Sequence, residues 1–139
     1  MQTFILDSSI IIKGLNAYED NYETAKIIFE DIKNKKIEVL LPDYWKHEVL
    51  NYISRVYEAE KGFYLFKWLE SLQFKEKKLD DNTIQKVIKI IKTCKGTASY
   101  DATFHAMAII ENATLITADE KHYNKTKKLK HIILLKNYK

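Results

Sequence analysis

Four acids, Asp7, Glu48, Asp101 and Asp119, stand where the chain could turn them toward a common point. Carboxylates are hard oxygen donors that suit Mg2+ or Mn2+. Two of them about 5 Å apart repel by roughly 3 kcal/mol at an effective dielectric near 20, so four converging carboxylates could not all stay charged at little cost. A divalent cation removes that conflict, lowers the pKa of bound water and neutralises charge developing on phosphoryl oxygens. Convergence would therefore make a metal-assisted hydrolytic site.

Each acid also has a plainer account. Asp7 follows the apolar run Thr3 to Leu6 and Asp119 follows the run Ala113 to Thr117, so each can cap the helix after it. Asp101 falls in a first helical turn, where the helix dipole favours a carboxylate by about 0.3–1 kcal/mol. Glu48 lies on the flank of the stripe Trp45, Val49, Tyr52 and Val56, roughly 60–70° from its centre, with Arg55 one heptad on as an ion-pair partner. His105 shares a face with Asp101, but a lone histidine beside Phe104 and Met107 reads as a packed residue and stays outside the metal set.

The elements must decide between these accounts. Thr3 to Leu6 reads as a strand, Ser8 to Lys13 as a brief helix, and Asp20 to Lys35 as an amphipathic helix with Tyr22, Ala25, Ile28, Phe29 and Ile32 on one side. Ile37 to Leu41 is a second strand. It feeds a helix from Pro42 to Ala59, since proline is tolerated in a first helical turn. Gly62 to Leu72 reads as a further helix and Gln73 to Leu79 as a weak strand. Asp80 and Asp81 start a helix with Ile84, Val87, Ile88, Ile91 and Cys94 on one face; Gly96 ends it and Ser99 caps the next. Ala113 to Thr117 and Ile132 to Leu135 are the last strands. Strands joined by helical crossovers predict an α/β fold: a three-layer α/β/α sandwich around a mostly parallel sheet of four to five strands, one domain over residues 1–139. In such sheets ligands bind at the carboxyl ends of strands, where Asp7 and Asp119 would sit.

Composition narrows the classes. With 139 residues, 46% of them apolar, and only 3 Gly and 1 Pro, the chain can build a core and has no linker-like tract. Cys94 is the only cysteine, which rules out an internal disulfide or a cysteine-based zinc site and fits a reducing, cytoplasmic setting. The apolar start is broken at Asp7, too early for a signal peptide or a membrane span. The formal charge of +4 is concentrated at the C-terminus, where residues 121–139 carry seven lysines and no acid. Such a patch can steer a phosphate backbone toward the protein, or simply solubilise it.

Four blocks together resemble the PIN-domain nucleases, and more narrowly the VapC-type toxins of prokaryotic toxin–antitoxin pairs. They are Phe4-Ile-Leu-Asp-Ser-Ser-Ile-Ile-Ile-Lys13, Leu41-Pro-Asp-Tyr-Trp-Lys-His-Glu-Val-Leu-Asn51, Ser99-Tyr-Asp-Ala-Thr-Phe-His-Ala-Met-Ala108 and Leu115-Ile-Thr-Ala-Asp-Glu-Lys121. All occur in the family's order and span nearly the whole chain. The resemblance implies that Asp7, Glu48, Asp101 and Asp119 form an acidic quartet, with Ser8 and Thr117 orienting a carboxylate or a water and Asn51 as a helper. It implies Mg2+ or Mn2+ held by Asp7, Asp101 and Asp119, with Glu48 placing the attacking water or a second ion. It further implies an RNA phosphodiester substrate cut by in-line attack of water to leave a 5′-phosphate, a small VapB-type antitoxin as partner, and a homodimer. The same resemblance admits a PIN ribonuclease of RNA processing, or a PIN domain that binds without cleaving.

Other acid-bearing α/β folds fit less well. A receiver-like signalling domain would use Thr117 and Lys136, but no aspartate ends the weak third strand as a phosphoacceptor and no acid pair accompanies Asp7. Haloacid-dehalogenase-type phosphatases want Asp-x-Asp after the first strand, where this chain has Asp7-Ser8-Ser9.

Overall fold

Alternation along β1 (Gln2–Leu6) sends Phe4 and Leu6 to one face of the sheet and Ile5 to the other, and two separate cores grow from that division. The computed structural model describes all residues 1–139. On the first face, Phe4, Leu6, Val39, Leu41 and Ile116 pack against α1 (Ser8–Leu15), α2 (Tyr22–Lys33), α3 (Trp45–Val56) and α4 (Ala59–Ser71). On the second, Ile5, Leu115 and Ile132 meet Phe104, Met107 and Ala108 of α6 (Ser99–Ile110). Behind α6 lies α5 (Asp81–Thr93), whose Ile90 packs on Ala102 and Ala106.

The sheet is β3-β2-β1-β4-β5, every neighbouring pair parallel, with β2 at Ile37–Pro42, β3 at Lys75–Lys77, β4 at Thr114–Thr117 and β5 at Ile132–Leu134. Helices cover both faces, so the expected three-layer α/β/α sandwich is the observed fold. The order also separates it from the receiver-like alternative, whose sheet runs 2-1-3-4-5. No helix is long and apolar enough to cross a membrane.

Several boundaries differ from the sequence expectation. Pro42 closes β2 instead of opening a helix. Its missing N–H costs nothing there, because the next ladder donor is Asp43, whose N–H reaches the Lys77 carbonyl at 3.0 Å. The expected helix to Ala59 stops at Val56, since Tyr57 is extended (φ −119°, ψ 154°). A new helix, α4, starts at Ala59, with Gly62 inside it: a Cβ at Gly62 would lie 2.8 Å from the Ile53 side chain, so glycine permits the α3–α4 crossing. Ala98, rather than Ser99, occupies the position before α6. The third strand is only Lys75–Lys77, at the sheet edge.

Candidate active site

From β1 the chain steps to β2 and β3 on one side; β4 and β5 lie on the other. The order reverses between β1 and β4, and in open parallel sheets ligands bind outside the carboxyl ends of the strands at such a point. Asp7 directly follows β1, and Asp119 follows β4 by two residues.

Hydrogen bonds tie these ends together. Asp7 is the N-cap of α1, its Oδ1 accepting the Ser9 N–H at 2.7 Å. Its other oxygen, Oδ2, accepts the Thr117 hydroxyl at 3.0 Å. Thr117 is fully buried at the end of β4, and its Oγ1 also accepts the backbone N–H of Asp119 at 3.1 Å. Asp119 in turn caps α7 (Glu120–Thr126) by accepting the His122 N–H at 3.1 Å. On the other side of Asp7, Ser8 donates its hydroxyl to Glu48 Oε1 at 2.8 Å. This bond, and not an ion pair with Arg55, is the contact that Glu48 makes.

Asp101 comes from the second face, in the first turn of α6. Its half-buried carboxylate has no hydrogen-bond partner. Burial lifts its pKa above the ordinary value, and the nearby charges of Asp7 and Asp119 add to that rise, while His122 and Lys125 oppose it. Three aspartates from three separate chain segments thus share one electrostatic environment, and Glu48 is tied to Ser8, the residue after Asp7. Asn51, the expected helper, is exposed on α3 and hydrogen-bonds to none of them.

Two further residues lie near these acids with no sequence motif to mark them. His122 is buried, with its Nε2 unpartnered, and its ring meets that of His105 edge-on at 6.3 Å. Lys125 bonds the Gly96 carbonyl at 3.0 Å. The only local signal was their spacing of three and six residues from Asp119 on a seven-residue helix too short to show periodicity. His105 itself is fully buried, with Nε2 2.7 Å from the Lys130 carbonyl, the packed and hydrogen-bonded state expected of it.

As the side chains stand, no three acids or histidines enclose an ion. The donor set still fits a hard divalent cation. Both Asp101 oxygens and Glu48 Oε2 are free, and Mg2+ ordinarily keeps several waters while taking only one or two carboxylates. A half-buried carboxylate in the field of two others is what a cation would relieve.

A parallel α/β/α sandwich with linked acids at its switch point defines a class of carboxylate-site proteins. Within that class the chain belongs to the PIN domain family, whose model matches residues 4–128 and so takes in all four acids. Solved structures share the fold. VapBC2 from Rickettsia felis, bound to a DNA fragment from their promoter, aligns with TM-score 0.70 and 17% identity over 96% of this chain and 97% of that one. A toxin–antitoxin complex from Klebsiella pneumoniae gives 0.67 and 15% over 94% and 96%. VapBC-1 from nontypeable Haemophilus influenzae gives 0.69 and 14% over 98% and 100%. Comparison with curated protein sequences found no significant match.

Proposed function

We propose that this chain, acting as one domain, is a metal-dependent ribonuclease that hydrolyses RNA phosphodiester bonds, and that it is the toxin of a toxin–antitoxin pair. The observation that carries the hydrolytic reading is the Asp7–Thr117–Asp119 linkage with Asp101 in its electrostatic field. Membership of the PIN domain family supports nuclease chemistry. The toxin role draws on solved relatives of the same fold that are described as VapBC or toxin–antitoxin complexes. By that analogy a small VapB-type antitoxin is the partner, the working unit is a homodimer, and the setting is the cytoplasm.

In this reading Asp7, Asp101 and Asp119 hold Mg2+ or Mn2+ directly or through water, with Glu48 as a fourth acid. When bound, the ion supplies charge neutralisation at the phosphate and acidifies water. Thr117 fixes Asp7 relative to Asp119, and Ser8 fixes Glu48 beside α1. Asp101, free of hydrogen bonds, keeps both oxygens for the site. Water attacks phosphorus in line with the leaving ribose oxygen, and the product carries a 5′-phosphate.

The test is cleavage of mixed RNA by purified protein with Mn2+ or Mg2+. Wild type should cut and leave 5′-phosphate ends; Asp7→Asn and Asp101→Asn should fold and not cut. Equal cleavage by wild type and both variants would overturn the site. The toxin role is tested separately, by growth arrest on expression and its relief by the product of a small adjoining gene.

A further inference from the structure

Behind Asp119 the chain carries a strip of unpaired positive charge. Residues 121–139 hold seven lysines and no acid, all seven are exposed, and only Lys136 makes an ion pair, with Glu120 at 3.9 Å. Five of them, Lys121, Lys125, Lys127, Lys128 and Lys130, lie on α7, on the short turn Lys127–Leu129 and on the residue that ends it. Asp119 caps α7 beyond the carboxyl end of β4, whereas β5, parallel to β4, begins at Ile132. The strip therefore runs from the acids toward the amino end of β5.

Two of these lysines are held in place. Lys125 donates to the Gly96 carbonyl at 3.0 Å, which ties α7 to the loop that leads into α6 and Asp101. Gly96 has φ +87°, and a Cβ there would lie 3.2 Å from the Lys125 ammonium, so glycine leaves that ammonium its room. An ammonium has three N–H groups, and two remain after the bond to Gly96. The charge of Lys125 is felt at the Asp101 carboxylate, whose raised pKa it opposes. Lys130 is held differently. Its φ of 62° and ψ of −168° fall where glycine alone is at ease, and His131 follows at φ 59°. The His105 ring, with Nε2 2.7 Å from the Lys130 carbonyl, braces this turn. A lysine kept where glycine would relax the backbone points to a use for its charge.

From this arrangement we infer that the exposed lysines of α7 and of the turn after it form the surface along which the RNA strand leaves the acids, with Lys125 holding a phosphate beside the one cleaved. The inference rests on the ribonuclease reading for its ligand, and on the lysines for its path. Four carboxylates repel a polyanion, so a strand that reaches them needs free cations close by. Lys13 of α1 and Lys46 of α3, on the helices that begin at Asp7 and carry Glu48, are already paired, with Glu19 at 3.5 Å and Glu70 at 3.3 Å. The lysines behind Asp119 are not. Tyr123 of α7 is partly buried against the second core, which leaves the strip without a platform for stacking bases. Contact is therefore with the strand's backbone, and it adds affinity without choosing a sequence.

Fluorescence anisotropy of a labelled single-stranded RNA, titrated with the full chain in metal-free buffer at several salt concentrations, reads the phosphate contacts directly. Each lysine–phosphate contact adds about 0.7 to the slope of log affinity against log salt, so changing Lys121, Lys125 and Lys128 together to glutamine should lower the slope by about 2. Lys33, Lys36 and Lys139 lie at the other end of the sheet, the first two just before β2 and the last beside Gln2. The same change at those three should leave the slope as it is. Lys125→Gln alone should lower it by about 0.7 and, with Mn2+ present, raise KM for RNA severalfold. Lys125→Arg should restore both, a rescue that loss of folding cannot mimic. Equal losses from the two triple variants would reduce the strip to net charge and overturn it. An unchanged slope and KM in the Lys125 and strip variants of a protein that cuts RNA would overturn it and leave the ribonuclease standing. Wild type that binds RNA without salt dependence, or not at all, would overturn it as well, while the cleavage assay reports independently on the ribonuclease.

Discussion

Thr117 and Asp7 are 110 residues apart in the chain, yet the Thr117 hydroxyl donates to the Asp7 carboxylate at 3.0 Å. The hydroxyl has one proton to give, and it gives it to Asp7; a lone pair is left to accept the Asp119 N–H at 3.1 Å. One buried side chain at the end of β4 therefore holds both the Asp7 carboxylate and the backbone from which the Asp119 side chain departs.

Thr117→Val tests that linkage, because it preserves shape and removes both bonds. Asp7 loses a donor and the Asp119 N–H loses its acceptor. Groups that orient metal ligands are typically worth 10–100-fold in metal affinity or activity, and a loss of about that size is expected here. Thr117→Ser should recover most of it. Single-turnover cleavage across a Mn2+ titration separates weakened ion binding from a slower chemical step.

Ion binding should also register as stability. A ligand that binds only the folded state at 100 times its dissociation constant stabilises by about 2.7 kcal/mol, so millimolar Mn2+ should raise the melting temperature of wild type by several degrees. Asp119→Asn should cut that gain without changing the metal-free melting temperature much, since asparagine can still cap α7. Differential scanning fluorimetry with and without Mn2+ reads both. A wild-type protein indifferent to the ion would count against the acids as a metal site.

The sequence shows where the acids are more readily than what they touch. Asp7 and Asp119 are legible because each ends an apolar run, and the period-two division of Phe4, Ile5 and Leu6 follows directly from a strand. The flank position of Glu48 is legible from helical geometry. Its partner is not: Arg55 is near in sequence, whereas Ser8 is 40 residues away and reaches Glu48 only through tertiary packing of α1 on α3. The Thr117–Asp7 bond is hidden for the same reason. Local habit makes Pro42 a helix opener and Gly62 a helix start, but ladder pairing with β3 decides the first and close approach to Ile53 the second. His122 escaped notice because seven residues of α7 carry too little pattern to show an inward face.

Close approach also governs Gly14 on α1. A Cβ there would overlap the Phe29 ring on α2, and that ring is itself buried. Gly14→Ala gains helix propensity but overpacks the α1–α2 contact. The second effect is larger, so destabilisation by about 1–3 kcal/mol is expected in urea unfolding. Because α1 begins at the Asp7 cap, cleavage should fall as well, and in proportion to the fraction still folded at the assay temperature.

Asp101 permits a test in which stability and activity move in opposite directions. Its folded-state pKa lies above the ordinary 3.8, chiefly through burial; the charge of His122 opposes that rise, and Asp7 and Asp119 add to it. Below the ordinary value both folded and unfolded chains hold the proton, and Asp101 makes no difference to stability. As the pH rises from there, the unfolded chain ionises first and the folded state loses ground until its own raised pKa is passed. In metal-free buffer Asp101→Asn should therefore melt higher than wild type at pH 7, with the advantage shrinking as the pH falls toward 4. If Asp101 served only as a first-turn carboxylate on α6, the same substitution would remove a favourable dipole interaction and cost about 0.3–1 kcal/mol. The sign of the change separates the two accounts. Mn2+ should then reverse the order, stabilising wild type past the variant, and RNA cleavage should persist only in wild type: the half-buried, ionised carboxylate that weakens the empty fold is what gives the cation its place.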